Sequence, residues 1–274
     1  MKVFESTLEI GVQEPFEVLN ISDTHMALGD LRDGERKAKL AETRSQYFPE
    51  AERVLELAAG ESKERNIPIL HTGDLLDFVS TLNLERVKRF TDENDVYAVA
   101  GNHEFSLYVG EAKEDAAYRN QSLALVRSAF KNDIRTDSRV IGGVNFVVLD
   151  NGYYCFEQEQ FDFLKKQVEK NLPIVLMMHV PLYEPRLFEI MMGRAKCAYI
   201  AGVPEELTVG YPPERYEQQK ADKLTLEVID YIKNQSLIKA LITGHLHFNY
   251  EGVFGDRIPQ IITALDEVRR IRIV

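Results

Sequence analysis

The chain opens on an alternating segment in which Phe4, Leu8 and Ile10 share one face and Glu5, Thr7 and Glu9 the other. That period of two predicts a half-buried strand, expected to be an outer antiparallel one. The pattern then changes to short apolar runs at residues 18–21, 67–70, 96–100, 146–149, 174–178 and 241–242. Runs of this kind predict strands buried on both faces. Between them apolar positions recur about every 3.6 residues: Phe161, Leu164, Val168 and Leu172; Leu224, Val228 and Ile232; Phe48, Ala51, Leu55 and Ala58. The last of these helices has Pro49 in its expected first turn, where a missing N–H is tolerated. Alternating strands and helices predict a layered α/β fold.

Residues 258–264 and 268–274 are two further strand-like runs, expected to close the chain as a hairpin through Leu265-Asp266-Glu267. Two segments fit no element: the polar stretch 27–46, and the stretch 181–220, which holds five Pro without a sustained period. Segments that long are functional lids or disordered. No internal repeat or low-complexity linker divides the sequence, so 1–274 reads as a single domain with a loop or cap insertion at about 181–220.

Five of the predicted strands end in groups that ligate metals or move protons. These are Asp23-Thr24-His25, Gly73-Asp74-Leu75-Leu76-Asp77, Gly101-Asn102-His103-Glu104, His179, and Gly244-His245-Leu246-His247. In open α/β sheets ligands bind beyond the carboxyl ends of the strands, so the five clusters are expected to converge. Asp-x-His and His-x-His place two donors on the same side of an extended chain, which suits one shared ion. Mixed imidazole, carboxylate and carboxamide donors favour Mn, Fe, Zn or Co over Ca or Mg. Gly73, Gly101 and Gly244 permit the tight turns after each strand. Asp77 is expected on the same side of a helical first turn as Asp74. His71 is expected to pack in the core or to hydrogen-bond behind the site, Glu104 to bond locally, and Asp150-Asn151-Gly152 to form a turn.

Composition narrows the function. Acidic residues outnumber basic ones 44 to 33, a net charge of −11, which argues against polymeric nucleic acid as partner while leaving room for a local phosphate site. The two cysteines, Cys155 and Cys197, form neither a disulfide framework nor a metal-finger pattern, so a reducing, cytoplasmic setting and inert thiols are expected. Residues 1–5 lack an apolar signal region and no run is long enough to span a bilayer, so no membrane partner is expected.

Together the five blocks resemble the calcineurin-like metallophosphoesterase superfamily, whose motifs are Asp-x-His, Gly-Asp-x-x-Asp, Gly-Asn-His-Asp/Glu, a lone His and Gly-His-x-His. All five stand in order between residues 23 and 247. The resemblance implies an αββα sandwich of two mixed β-sheets flanked by helices. It also implies a dinuclear centre of divalent or trivalent ions, with Mn, Fe or Zn favoured. Carried over by position, Asp23, His25 and His247 correspond to ligands of one metal and Asn102, His179 and His245 to ligands of the second, with Asp74 bridging. His103 takes the place of the catalytic acid and Asp77 that of its orienting carboxylate. The implied reaction is attack of a metal-bound hydroxide on a phosphate ester, with His103 protonating the departing oxygen.

Within the superfamily, Asp77 is followed by Phe78-Val79-Ser80 rather than the protein phosphatases' Asp-Arg-Gly, which argues against a protein phosphatase. The layout looks more like bacterial phosphodiesterase-type members acting on a small phosphodiester or phosphomonoester. A nuclease of the same superfamily and a silent scaffold serving as a binding module are the alternatives; the acidic charge opposes the first and the filled ligand positions the second. Substrate selection is expected from the loops: Tyr183, Arg186, Met191, Met192, Arg194, Tyr199 and Tyr211 in the long one, Tyr108 and Tyr118 after the third block, and Arg32, Arg36 and Arg44 in the first.

Overall fold

In the computed structural model, which describes residues 3–274, the apolar runs pair into two sheets. Met1 and Lys2, the start of the segment read for a signal region, lie outside the described residues. In chain order the strands are β1 (Val3–Leu8), β2 (Phe16–Ile21), β3 (Ile69–His71), β4 (Val96–Ala98), β5 (Thr136–Ile141), β6 (Val144–Leu149), β7 (Ile174–Met177), β8 (Ile238–Thr243), β9 (Tyr250–Phe254), β10 (Ile258–Ile262) and β11 (Val268–Ile273). The helices are α1 (Glu35–Arg44), α2 (Ala51–Arg65), α3 (Thr81–Glu93), α4 (Ala116–Arg119), α5 (Leu123–Arg127), α6 (Gln158–Val168), α7 (Pro185–Met192), α8 (Pro213–Gln219) and α9 (Lys223–Asn234). One sheet has the order β1-β11-β2-β3-β4 and the other β5-β6-β7-β8-β10-β9.

The strands are apolar on both faces because each sheet is covered twice. Val18, Leu70, Phe146, Val148, Val175, Met177 and Ile242 meet in the layer between the sheets. Their neighbours in sequence point the other way. Leu19, Ile21 and Ile69 pack under Val54 and Leu55 of α2 and Val87 and Phe90 of α3. Val147, Leu176 and Leu241 pack under Phe161 and Leu164 of α6 and Val228 and Ile232 of α9. The result is the expected αββα sandwich of two mixed sheets flanked by helices.

Several local expectations are corrected. β1 is an outer strand but pairs parallel to β11, not antiparallel. The two last strands form no hairpin: β10 joins β8 and β9 in one sheet, and β11 lies between β1 and β2 in the other. Alternation records which face is buried and is blind to which strand lies alongside. Pro49 precedes α2 and its capping residue Glu50 instead of sitting in its first turn. The stretch 27–46 contains α1, and 181–220 contains α7 and α8. Asp74 to Asp77 is not a helical turn but an irregular segment bridged to the first block through Met26 and Leu76.

β2, β3 and β4 run parallel, as do β6, β7 and β8, so the carboxyl ends of both sets open on a common edge. Among the described residues, no helix is long and apolar enough to cross a membrane.

Candidate metal centre

All nine residues singled out by sequence come together at that edge. Asp23 and His25 follow β2, Asp74 and Asp77 follow β3, Asn102 and His103 follow β4, His179 follows β7, and His245 and His247 follow β8. Three groups place their donor atoms within 4.8 Å of one another: Asp23, His25 and His247; His25, Asp74 and His103; and Asp74, His179 and His245. Asp74 therefore lies where two sets of donors meet. Its Oδ2 is 3.5 Å from His25 Nε2 and 3.2 Å from His179 Nε2.

Hydrogen bonds behind the histidines fix which nitrogen faces inward. His25 Nδ1 lies 3.1 Å from Asp77 Oδ1, which accepts its proton and leaves the Nε2 lone pair facing His247 Nε2 at 3.2 Å. His179 Nδ1 donates to the Thr72 carbonyl at 2.7 Å, leaving Nε2 towards His245 Nδ1 at 3.1 Å. His245 Nε2 is held 2.7 Å from the Tyr154 hydroxyl. Asn102 Oδ1 is buried with no hydrogen-bond partner. Inward lone pairs and an unpartnered carboxamide oxygen, gathered around buried carboxylates, are what a divalent cation requires, and the residues fit such an ion.

The backbone is bent to make this arrangement. Asp23, His25, Asp74, His245 and His247 have φ of 54°, 46°, 58°, 69° and 56°, in the left-handed region that side-chain-bearing residues seldom adopt. Each costs on the order of 1 kcal/mol or more, and strain so concentrated marks a site the surrounding fold over-determines. Gly101 and Gly244 serve close approach rather than a positive φ. A Cβ at Gly101 would overlap the Asp74 carboxylate, and one at Gly244 would overlap Ser22 and Asp23.

Asp77 links two histidines and an arginine. Its Oδ1 is 3.1 Å from Nδ1 of both His25 and His103, and Arg44 donates from Nε to Oδ2 at 2.6 Å and from a terminal nitrogen to Oδ1 at 2.8 Å. Burial raises the Asp77 pKa, but the Arg44 and histidine hydrogen bonds outweigh it and hold the carboxyl well below its usual range. Burial pulls His103 down, whereas the charges of Asp74 and Asp77 and the Asp77 hydrogen bond raise it to about 9. His103 Nδ1 also faces the Asp77 carbonyl at 2.9 Å, which leaves its Nε2 for the cleft it lines.

The family model for calcineurin-like phosphoesterases matches residues 16–249 and spans all five blocks. The chain belongs to the calcineurin-like phosphoesterase family. A dimetal phosphatase from Danio rerio is 13% identical, with a TM-score of 0.50 over 92% of this chain and 88% of that one, and shares the fold. The phosphopantetheinyl hydrolase of Mycobacterium tuberculosis is 12% identical, with a TM-score of 0.48 over 91% of this chain and 89% of that one. A calcineurin-like phosphoesterase from Bacillus subtilis is also 12% identical, with a TM-score of 0.42 over 92% and 82% of the respective chains. No curated protein sequence matches the chain.

Other residues of this phosphoesterase support the edge. Glu104 is buried and its carboxylate accepts the N–H groups of Asp74 at 2.8 Å, Leu75 at 2.6 Å and Gly101 at 2.6 Å, clasping the second and third blocks together. Glu104→Ala leaves those buried donors unpaired and is expected to destabilise the metal-free protein by about 3 kcal/mol or more, at roughly 1–3 kcal/mol each. Urea unfolding measures this, and a loss near zero would show that the clasp is dispensable. His71 Nδ1 accepts from the Gly73 N–H, and its Nε2 faces Thr24 Oγ1, both at 3.2 Å. Burial pushes its pKa down to about 3, so it is a neutral brace between the first two blocks. Asn151, read as a turn, instead accepts the N–H groups of His179 and Val180 at 3.0 Å and so seats the fourth block.

The site opens into a cleft of about 1020 Å³. Of the loop residues proposed to select substrate, Arg44, Met191 and Tyr199 line it. Others are engaged elsewhere: Arg32 pairs with Asp30 and Glu85, Arg36 stacks on Tyr108, Arg194 lies over Phe248, and Tyr211 accepts the Ala198 N–H. Sequence reasoning missed Tyr154, Glu114, Arg215 and Gln218, and read Phe48 only as helix core although its ring stacks on His25 at 4.3 Å. No local spacing marks these residues, since each reaches the cleft from a distant segment.

Proposed function

We propose that the protein is a metal-dependent phosphoesterase that hydrolyses a small phosphodiester or phosphomonoester at a pair of metal ions, with Mn, Fe or Zn favoured. The observation that carries this reading is the convergence of inward imidazole lone pairs, carboxylates and the unpartnered Asn102 Oδ1 from both sheets. Asp23, His25 and His247 would hold one ion, Asn102, His179 and His245 the other, and Asp74 would lie between them, its negative charge offsetting their mutual repulsion. When bound, such a pair supplies positive charge to the phosphoryl oxygens and lowers the pKa of water.

The remaining steps fall to side chains. His103, held protonated by Asp74 and Asp77, donates from Nε2 to the departing oxygen. Asp77 keeps the ring in position, and Arg44 keeps Asp77 in position. Phe48, Tyr199, Met191 and Leu246 give the cleft an apolar lining suited to an organic leaving group. The net charge of −11 and the cleft residues Glu114, Glu214 and Glu217 disfavour a polyanionic substrate, which argues against the nuclease alternative. The positions of all seven ligands and of His103 hold competent groups, which argues against a silent binding scaffold.

Single-domain organisation and a cytoplasmic setting belong to the same proposal. Successive strands β10 and β11 lie in different sheets, so the chain cannot be cut between them. Both cysteines are free, and burial, with Asp150 nearby, raises the Cys155 thiol to about 11, which leaves it unreactive.

The test is to strip the protein of metal, reconstitute it with Mn, Fe or Zn, and assay an aryl phosphodiester beside an aryl phosphomonoester. Metal-dependent turnover of at least one is expected. Turnover of neither, with metal bound, contradicts the proposed activity.

A further inference from the structure

We propose that Glu114 positions Asn102 for metal binding and, through Gln218, ties that half of the centre to helix α8. The inference rests on the two-metal reading given above. Asn102 has two chemically different ends: Oδ1 is buried and unpartnered, while Nδ2 lies 3.4 Å from Glu114 Oε1. A carboxylate only accepts hydrogen bonds, so the amide nitrogen must be the atom facing Glu114, and the oxygen is turned away from it. The second carboxylate oxygen accepts from Gln218 Nε2 at 2.7 Å, and Gln218 Oε1 in turn accepts from Arg215 at 2.7 Å.

Among the described residues no basic group lies within ion-pairing distance of Glu114, so its carboxylate is engaged by these two amides. Asn102, Glu114, Gln218 and Arg215 all line the cleft, and the relay runs along its wall from a candidate ligand to α8. Glu114 belongs to none of the five blocks. It is 12 positions from Asn102 and 104 from Gln218, and only the fold joins the three.

Partners behind a ligand set its orientation, and removing one costs about 10- to 100-fold in metal affinity. The experiment titrates Mn(II) into the metal-free full-length protein by calorimetry and follows the bound ions by electron paramagnetic resonance. Wild type is expected to take up two ions with the spectrum of a coupled pair. Glu114→Ala is expected to keep one ion at wild-type affinity, to bind the second about 10- to 100-fold more weakly, and to lose the coupled spectrum at limiting Mn(II). A role confined to folding would weaken both ions together. Two ions at wild-type affinity in Glu114→Ala overturn the inference and leave the two-metal reading standing; no ion in wild type overturns that reading itself. If Glu114→Ala does not fold, Gln218→Leu on the short α8 carries the test: selective weakening of one ion supports the tie, and unchanged binding of both overturns it.

Discussion

Replacing His103 with alanine is expected to lower kcat by about 100-fold or more while metal content stays unchanged, which is the scale of a general acid's contribution. His103 lies in the cleft with Nδ1 against the Asp77 carboxylate and carbonyl, and so offers only Nε2 to a substrate. Its backbone N–H donates to Asp74 Oδ1 at 2.8 Å, and this bond survives truncation of the ring. The donors of Asp23, His25, His179, His245 and His247 are untouched by the change. Metal analysis beside kinetics therefore separates the two roles. The loss should also be larger for an alkyl ester than for a nitrophenyl ester, whose leaving group departs without needing a proton. Equal turnover of wild type and variant on both esters would remove His103 from the chemistry.

Replacing Asp74 with asparagine is expected to have the larger effect, abolishing measurable turnover and lowering the bound metal by at least one ion. Asp74 is buried and belongs to two of the three donor groups, so the change removes negative charge where His25 and His179 meet. Asparagine keeps the shape and a carbonyl oxygen able to accept the His103 N–H, so the fold should persist. Two cations brought together without an anion between them repel strongly. Plasma emission counts of Mn, Fe and Zn with circular dichroism check this outcome. A variant with full metal content and activity would mean that Asp74 is not shared between ions.

Much of the candidate site was legible in the sequence because its donors lie next to the strand ends that present them. Asp23 and His25 are two residues apart, as are His245 and His247, and apolar runs precede both pairs. The two-faced burial of the strands was legible for a related reason. Val18 and Leu19, or Val175 and Leu176, are all apolar because successive residues enter different cores.

What escaped depends on partners far away in sequence. The closing hairpin was a reasonable reading of two strands separated by three residues, yet Val268 pairs with Val3 and Ile262 with Thr243. Helix α1 carries buried Lys37 and Ala41 on a largely charged segment, so its apolar stripe is too thin to register as a period. Tyr154 bears on His245 across 91 residues, from a backbone with φ of 61° that no neighbouring residue signals. Asp77 illustrates both sides. It was picked out by its spacing from Asp74 on the premise of a helical turn, but it reaches His25, His103 and Arg44 from irregular chain.

The most direct measurement is a crystal structure of the protein grown with Mn(II), with anomalous scattering recorded near the Mn edge. Two peaks are expected on either side of Asp74, one against Asp23, His25 and His247 and the other against Asn102 Oδ1, His179 and His245. No peak among these residues, or a single one that leaves Asn102 Oδ1 without a partner, would contradict the two-metal site.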